Sequence, residues 1–305
     1  HSDTPQVRGR MSLRVATRSS ALAMAQSGTV AEALGGLELT TVETDPTPGD
    51  KERFVRGVEL AVLEGQADIG VHSAKDLPGV MTSGLSIAAV PPREDPRDAW
   101  IGAGTSLADI PEGARVGTVS LRRRAQLLAI RPDLVPVELR GNVDTRLRKL
   151  REGEADGIIL AMAGLNRLDR GNEVSFAFSL EQMTPAAGQG ALVVQTRTGR
   201  EDPARDLNDF RSEAELLAER AAVVALGADC SSPVGIHARH VGTRLVVDGF
   251  VGMADGSIWV RDRLEGDPAQ AAAVGTELAR RMANAGATEI LDRSSALGSG
   301  AEQVG

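Results

Sequence analysis

The chain has 305 residues and a formal net charge of -8 at pH 7, and 42% of its residues are hydrophobic while 25% are charged. This composition is typical of a globular protein, and the length predicts two or three domains. The negative charge and an aromatic content of 2%, with no tyrosine, argue against a general nucleic-acid binder, because such proteins present basic surfaces and aromatic stacking platforms.

The sequence also has none of the usual marks of a membrane or secreted protein. No apolar run approaches the ~20 residues that a membrane-spanning helix needs. Residues 1–10 are polar and contain no apolar core, so we predict no signal peptide and interpret them as a remnant ahead of Met11, outside the fold. The expected location is the cytoplasm, where the single cysteine would stay reduced.

Strand and helix signals alternate from Leu13 to about Val90. The predicted elements are strands at 13–16, 37–42, 67–72 and 85–90 and helices at 21–34 and 55–64. Strands that alternate with helices form a parallel or mixed sheet covered on both faces. This part of the chain is therefore expected to be an α/β lobe.

A proline-rich hinge at 91–96 separates this lobe from a second unit of the same style. The predicted elements of the second unit are strands at 98–101, 115–117, 135–139 and 157–161 and helices at 121–130 and 143–151. A second hinge at 185–190 leads into the apolar run 191–195. Two hinges between two α/β lobes predict a chain that crosses over and returns, with a cleft between the lobes.

The sequence pattern changes from Ser212 onward. A long helix pattern leads to the loop around Cys230, and an Asp255-Gly256 hairpin turn separates the last two of three strand-like runs. These runs are 234–241, 243–251 and 257–264, and a helix at 268–285 is expected to close an α+β unit with a three-stranded antiparallel sheet. The predicted boundaries are domain 1 over 12–91 and 191–208, domain 2 over 97–184, and domain 3 over 213–301.

Arginines recur where predicted strands turn into helices. They lie in the turns Thr17 to Ser20 (Arg18), Thr118 to Arg124 (Arg122, Arg123 and Arg124) and Leu139 to Arg146 (Arg140 and Arg146), and Arg167 follows the strand that ends near Ala161. Helix N-termini favour anions, and ligands of open α/β sheets bind at the carboxyl ends of strands. Solvated surface charge would explain one such cluster, but several in an acidic chain indicate a polyanionic ligand. Because no phosphate-loop motif is present, a carboxylate-bearing ligand is favoured over a nucleotide.

Two further residues are candidates for chemistry. Asp76 lies in a stiff turn after a predicted strand, before Leu77-Pro78, and its simpler interpretation is a turn-forming aspartate. Cys230 lies in a loop rich in Gly, Ser and Pro that would expose its side chain, and its simpler interpretation is a small buried hydrophobe. As the only cysteine, it excludes an internal disulfide. The four histidines have no metal-ligand spacing, so we predict no metal.

Eight segments, in order, resemble the porphobilinogen deaminase (hydroxymethylbilane synthase) family, from Leu13 to about Leu291. They are ATRSSALAMAQ at 16–26, ADIGVHSAKDLP at 67–78, EDPRDAW at 94–100, SLRRRAQL at 120–127, LRGNVDTRL at 139–147, AGLNRL at 163–168, PAAGQGAL at 185–192 and CSSPVG at 230–235. The resemblance implies two periplasmic-binding-protein-like α/β lobes joined by two hinge crossings, plus the C-terminal α+β domain. It also implies a transferase of heme biosynthesis that deaminates four porphobilinogen units and joins them head to tail into hydroxymethylbilane.

The resemblance implies a role for each candidate residue. Cys230 would carry a dipyrromethane cofactor, made from two substrate units, as a thioether, and Asp76 with Lys75 would be catalytic. The residues expected to bind the cofactor are Thr118, Ser120, Arg122, Arg123, Arg140, Arg146 and Lys75. Those expected to bind substrate or the growing chain are Arg18, Ser20, Arg140, Arg146, Arg167 and Gln189. The expected enzyme is a monomer whose partner is porphobilinogen, without nucleic acid or membrane.

Two departures from the family pattern bear on these expectations. Family members carry a longer segment with glycine and lysine between a Thr-x-Gly-Asp element and a Phe-Val helix. Here 47–50 runs through Lys51-Glu52-Arg53 straight into Phe54-Val55. This flexible active-site loop is therefore either deleted from the protein or disordered and omitted from the sequence, and neither Lys51 nor Arg53 is assigned its role. Val119 also replaces a hydroxyl residue that is frequent between Thr118 and Ser120, which removes one donor to carboxylates.

Two alternatives come from other classes of protein. A non-catalytic solute-binding protein would also have two α/β lobes with two crossings, and its arginines would trap a dicarboxylate. The cysteine-bearing third domain and the lack of a signal peptide argue against it. The ligand-sensing part of a transcription regulator is less favoured, because no helix-turn-helix pattern precedes the lobes.

Overall fold

The computed structural model describes residues 13–42, 52–229 and 231–301. Three features of the sequence lie outside the described residues: the leader at 1–10, the segment 47–51 that bears on the active-site loop, and Cys230. Within the described ranges, no helix is long and apolar enough to cross a membrane.

The described part of the chain forms three β-sheets and their covering helices. The strands are β1 (Arg14–Arg18), β2 (Glu38–Val42), β3 (Ile69–Ser73), β4 (Leu85–Ala89), β5 (Asp98–Gly102), β6 (Arg115–Gly117), β7 (Val135–Val137), β8 (Gly157–Ala161), β9 (Phe176–Ala177), β10 (Leu192–Arg197), β11 (Val234–Val241), β12 (Arg244–Gly252) and β13 (Trp259–Gly266). The α-helices are α1 (Ala21–Ala33), α2 (Glu52–Leu63), α3 (Leu121–Ile130), α4 (Val143–Arg151), α5 (Met162–Arg167), α6 (Phe210–Ala225), α7 (Ala271–Asn284) and α8 (Ala287–Ala301).

The first lobe is a five-stranded mixed sheet in the order β2-β1-β3-β10-β4. β1 runs parallel to β2 and β3, whereas β10 runs antiparallel to β3 and β4. Successive residues of β1 face opposite sides of the sheet: Val15 packs in a cluster with Val30 of α1, and Ala16 in a cluster with Val58 of α2. The prediction of an α/β lobe covered on both faces is confirmed.

The second lobe repeats this plan with the strand order β7-β6-β8-β5-β9. β6 is parallel to β7 and β8, and β5 is antiparallel to β8 and β9. The chain passes from β4 to β5 through the first crossing and returns from β9 to β10 through the second, so β10 joins the first sheet after the second lobe is complete. Two α/β lobes joined by two crossings, as predicted, therefore form this part of the fold.

The C-terminal unit is an antiparallel sheet in the order β11-β12-β13, as the three strand-like runs predict. α6 and α7 pack against each other and against this sheet, sharing one core that includes Ala222, Ile236 and Leu278. The expectation that the helix at 268–285 closes the unit is wrong, because α8 follows it. Gly286 adopts a φ of +102°, which lets the chain turn sharply after α7 and return α8 to the core.

Two short elements carry candidate site residues. α5 starts directly after β8 and was not predicted; it is only six residues long, too short to show a helical period. Residues 74–76 form a 3₁₀ turn after β3, at the position of the stiff turn that the sequence predicts. The domain boundaries stay predictions.

A buried ion pair joins the two crossings to the C-terminal unit. Arg93 in the first crossing donates from Nη1 to Oε1 of Glu219 in α6 at 2.7 Å. Glu219 also accepts the backbone N–H of Gly188 in the second crossing at 2.6 Å and of Ala238 in β11 at 2.8 Å. Burial would raise the pKa of Glu219, but the Arg93 charge and the hydrogen bond to His237 outweigh it and lower this pKa to about 2. The Glu219 carboxylate thus connects the first crossing, the second crossing and the C-terminal unit.

Candidate active site

A cavity of about 240 Å³ opens between the two lobes. The first lobe supplies the β1–α1 turn and the end of β3, and the second supplies α3, the β7–α4 turn and α5. The charged residues on its described wall are Arg18, Lys75, Arg123, Asp144, Arg146 and Arg167. All but Asp144 are basic, so the cavity is suited to an anion that carries several carboxylates.

The β1–α1 turn brings Arg18 and Ser20 to the cavity. Arg18 is the last residue of β1, and Ser20 is the N-cap of α1, where its Oγ accepts the N–H of Ala23 at 3.3 Å. Burial lowers the pKa of Arg18, and the nearby charge of Asp76 opposes that shift. This strand-to-helix turn therefore lies on the cavity wall, and its role in binding a ligand stays a prediction.

Lys75 and Asp76 lie in the 3₁₀ turn that follows β3. Lys75 lines the cavity, whereas Asp76 is partly buried beside it and does not line the wall. Burial lowers the pKa of Lys75 to about 8, although the Asp76 charge acts in the opposite direction. Asp76 is thus electrostatically linked to both Arg18 and Lys75.

The second crossing packs directly behind this turn. A Cβ on Gly188 would lie 2.7 Å from the carbonyl carbon of Ala74 and 2.8 Å from the nitrogen of Lys75, and the φ of Gly188 is +73°. Only glycine fits a backbone approach this close in that conformation. Ala74 N–H also donates to the carbonyl of Ala191 at 3.0 Å. The turn that carries Lys75 and Asp76 is therefore supported by the hinge.

In the second lobe, the first turn of α3 meets a buried aspartate. Arg122 donates from Nη1 to Oδ2 of Asp98 at 2.7 Å, and Arg123 donates from Nε and Nη2 to Oδ1 at 3.0 and 2.8 Å. Asp98 is fully buried. Burial would raise the pKa of Asp98, but the two arginines hold it well below its usual range. Ser120 caps α3 by accepting the N–H of Arg123 at 3.4 Å.

The two neighbouring arginines differ in what they face. Arg123 lies on the cavity wall, whereas Arg122 points away from it and donates to the Thr184 carbonyl at 2.7 Å as well as to Asp98. Thr118 is buried and accepts the N–H of Ser120 at 3.2 Å. Arg123 therefore lines the cavity, whereas Arg122, Thr118 and Ser120 do not.

Arg146 of α4 lies on the cavity wall near a second positive charge, that of Arg123. Its Nε is buried and has no hydrogen-bond partner among the described residues. Burial and the charge of Arg123 together lower the pKa of Arg146 to about 10. Asn142 caps α4 by accepting the N–H of Thr145 at 2.8 Å and also lines the cavity. In contrast, Arg140 is exposed, pairs with Glu138 at 3.3 Å and lies off the wall.

Arg167 and Gln189 connect the site to the crossings. Arg167, the last residue of α5, lines the cavity and donates to the Gly190 carbonyl at 2.8 Å. Burial lowers the pKa of Arg167, and the charge of Glu94 opposes that shift. Gln189 does not line the wall; its Nε2 donates to the Pro96 carbonyl at 2.7 Å and to Asp98 at 3.0 Å.

The structure thus brings together most of the residues that the sequence singled out. On or beside the cavity are Arg18, Ser20, Lys75, Asp76, Arg123, Arg146 and Arg167. Sequence reasoning missed Asp98, the partner of two predicted cofactor residues, although it lies in the EDPRDAW segment. It also missed Asn142, for which the Asn-x-x-Thr pattern of a helix N-cap was an available signal.

Two family models together match most of the chain. The model described as "Porphobilinogen deaminase, dipyromethane cofactor binding domain" matches residues 13–205, and "Porphobilinogen deaminase, C-terminal domain" matches residues 214–284. Relatives with the name porphobilinogen deaminase are similar along nearly their whole length. The chain is 42% identical to one from Campylobacter concisus over 92% of this chain and 98% of the relative, and 44% identical to one from Thermus thermophilus over 91% and 97%.

Among solved structures, the chain is similar to a TRAP periplasmic solute binding protein from Desulfovibrio salexigens. The TM-score is 0.40 and the identity 14%, over 67% of this chain and 74% of the other.

Proposed function

The chain belongs to the porphobilinogen deaminase family, and from that premise we propose that the cavity between its lobes deaminates porphobilinogen and joins the units into hydroxymethylbilane. It is an enzyme, a transferase of tetrapyrrole biosynthesis. A non-catalytic solute-binding protein is not favoured, because the family models match both the lobes and the C-terminal unit. The observation that carries the proposal is the basic wall of the cavity. Among the described residues, five cationic side chains and one acidic side chain, Asp144, line it.

The described residues fit a cofactor that carries several carboxylates. The buried Nε of Arg146 has no acceptor within the described ranges, and its neighbour Arg123 adds a second positive charge. A carboxylate bound between them would accept this hydrogen bond and relieve the repulsion. We propose that Arg123 and Arg146 contact the dipyrromethane, that Lys75 assists them, and that Cys230 attaches it as a thioether.

The remaining predicted cofactor residues do not line the cavity, so most of them would act by positioning the residues that do. Arg122 shares Asp98 with Arg123, so it fixes the position of the arginine that lines the cavity. Ser120 and Thr118 order the first turn of α3 on which both arginines lie. Arg140 is on the exposed end of the β7–α4 turn and would reach only carboxylates at the mouth of the cavity.

When bound, the dipyrromethane supplies the nucleophilic pyrrole α-carbon to which substrate units are joined. Asp76 would protonate the leaving amine of porphobilinogen, stabilise the methylene-pyrrole cation that remains, and later accept the displaced ring proton. Lys75, with a pKa of about 8, is mostly charged at pH 7 and would bring a positive charge next to the reacting groups.

Arg18, Ser20 and Arg167 are proposed to bind the acetate and propionate groups of the substrate and the growing chain. Arg18 and Ser20 come from the first lobe and Arg167 from the second, so a substrate carboxylate pair would bridge the lobes. Guanidinium groups keep their charge under all conditions of turnover and bind carboxylates with two parallel hydrogen bonds. Gln189 does not line the wall and would act only indirectly, through its hydrogen bond to Asp98, which in turn holds Arg123 on the cavity wall.

The catalytic role of Asp76 is tested by Asp76→Asn. The amide still accepts hydrogen bonds but neither donates an acidic proton nor balances a cation, so turnover should fall by ~10²–10⁴-fold. Urea denaturation and intact mass should show a folded protein that still carries its cofactor. Asp144→Asn, which alters the other acidic residue near the cavity, is the matched control. Turnover of Asp76→Asn within a few-fold of the parent protein would refute the assignment.

We further propose a monomer that acts in the cytoplasm. The monomer is what membership of the family implies, and the cytoplasm would keep the single thiol reduced until it attaches a cofactor. Light scattering after size-exclusion chromatography should give the mass of one chain, about 31.9 kDa plus cofactor. A dimer mass at micromolar concentration would contradict the monomer.

A further inference from the structure

Arg220 of α6 makes its contacts with the segment that follows Asp76. Its Nη2 donates to the carbonyl of Pro78 at 2.8 Å and to the carbonyl of Gly79 at 3.0 Å, and it lies 3.6 Å from the sulfur of Met81. Burial lowers the pKa of Arg220, and no charged group among the described residues opposes that shift. A partly buried cation is therefore held against two backbone carbonyls and not against an acid.

Two more residues on the same face of α6 touch this segment. Leu216, which is 2% exposed, packs in one hydrophobic cluster with Ala74 and Leu77, on either side of Lys75 and Asp76. A Cβ on Gly79 would lie 3.1 Å from Cγ2 of Val224, so the backbone of Gly79 lies close to that side chain. Residues four apart lie on one face of a helix, and Leu216, Arg220 and Val224 have this spacing. One face of α6 thus covers the segment from Ala74 to Gly79.

The turn that α6 covers has little stability of its own. The 3₁₀ turn Ala74–Asp76 is three residues long, and the side chain of its N-cap Ser73 makes no capping hydrogen bond. The N–H of Leu77 closes it with a 3.3 Å hydrogen bond to the carbonyl of Ala74. Short 3₁₀ turns have poor hydrogen-bond geometry and depend on their surroundings. Gly188 packs against the backbone of the turn at Ala74 and Lys75, and Arg220 of α6 donates a hydrogen bond to the segment just after the turn, at Pro78.

We propose that Arg220 is a positioning residue for the reaction: it fixes the turn that carries Asp76 through the carbonyls of Pro78 and Gly79. The inference rests on the proposed catalytic role of Asp76. Because Arg220 belongs to the C-terminal unit and Asp76 to the first lobe, the contact also sets how the two units are oriented at the site. A guanidinium reaches both carbonyls from one nitrogen, whereas an ammonium on a flexible stem holds them less rigidly.

The test uses Arg220→Met, Arg220→Lys and, as the matched control, Arg211→Met in the full-length, cofactor-loaded protein. Arg211 is on the same helix and exposed. A small displacement of a catalytic group lowers the rate of the chemical step by up to ~10²-fold. We expect kcat of Arg220→Met to fall by about 10-fold to 100-fold with little change in KM, Arg220→Lys to recover part of the loss, and Arg211→Met to match the parent protein.

Two readouts separate positioning from general stability. Hydrogen exchange of peptides that cover 74–81 should become faster in Arg220→Met and stay unchanged in Arg211→Met. Intact mass should show the cofactor in all variants. A parent-like kcat and parent-like exchange in Arg220→Met would overturn the inference. It would also be overturned if the fall in kcat equalled the fraction of protein that is unfolded.

A double variant distinguishes failure of this inference from failure of the proposed function. If Asp76 is the catalytic group that Arg220 positions, adding Arg220→Met to Asp76→Asn should cause little further loss of turnover. An active Asp76→Asn protein refutes the proposed role of Asp76. An inactive Asp76→Asn together with a fully active Arg220→Met refutes only the role of Arg220.

Discussion

Asp98→Asn removes the charge that two buried arginines share. Asp98 is fully buried and accepts hydrogen bonds from Arg122, from Arg123 through two nitrogens, and from Gln189. The asparagine keeps the shape but leaves the guanidinium groups without a counter-ion. Removing one partner of a buried ion pair typically costs about 3–5 kcal/mol of the free energy of unfolding.

The exposed pair of Asp95 and Arg97 provides the control. Its side chains are 21% and 44% exposed, and exposed pairs contribute about 0–1 kcal/mol. In urea denaturation followed by circular dichroism, Asp98→Asn should lower the midpoint by about 1 M or more, and Asp95→Asn should barely move it. Equal shifts for the two variants would refute the view that Asp98 stabilises the buried arginine pair.

The same carboxylate has a pH signature. The arginines hold the pKa of Asp98 below its usual value of 3.8, so its contribution to stability is present above that pH and is lost as the pH falls further. In Asp98→Asn this part of the acid dependence should disappear. A parent protein and variant that lose stability in parallel below pH 4 would contradict the pairing.

Three further predictions follow from the site and the hinge. Arg146→Leu removes a desolvated cation that Arg123 repels and whose Nε has no described partner, so the free energy of unfolding should not fall, while intact mass should show less bound cofactor. Normal cofactor loading would contradict the role of Arg146. Lys75, with a pKa of about 8, is about half uncharged at pH 8. An acylating reagent at that pH should therefore modify Lys75 faster than Lys149, as measured by peptide mass. Equal rates would count against the lowered pKa of Lys75. Glu219→Gln should lower the free energy of unfolding by about 3–5 kcal/mol. In this variant the free energy of unfolding should also depend less on pH between 4.5, the usual pKa of glutamate, and about 2, the folded value. An unchanged pH dependence would show that Glu219 is not the group that titrates.

Element type and order could be predicted largely from the sequence, because the strands of both lobes are short apolar runs between helices. β3, for example, is buried from Ile69 to His72, and its sequence is a short apolar run of this kind. α5 could not be recognised, since six residues with a central glycine show no helical period. α8 follows a chain reversal that depends on the left-handed conformation of Gly286, and sequence periodicity does not show where a helix packs after such a turn.

The sequence predicts which types of residue form the candidate site, but it does not predict which side chains face the cavity. The arginines at strand-to-helix turns converge on one cavity because such turns lie at the same edge of each sheet. Neighbours such as Arg122 and Arg123 are interchangeable in sequence, yet only Arg123 faces the cavity, because Asp98 and the Thr184 carbonyl hold Arg122 on the other side. The contact of Arg220 with Pro78 joins residues 142 positions apart, which no local pattern reveals.

The central claim is that the cavity builds its product on a dipyrromethane attached to Cys230, and intact-protein mass tests it most directly. The parent protein should carry the added mass of two substrate-derived rings, and Cys230→Ala should be folded, inactive and without that mass. After brief exposure to porphobilinogen, the parent protein alone should show further increments of one substrate unit less ammonia. A parent protein with no added mass and full activity would contradict the account.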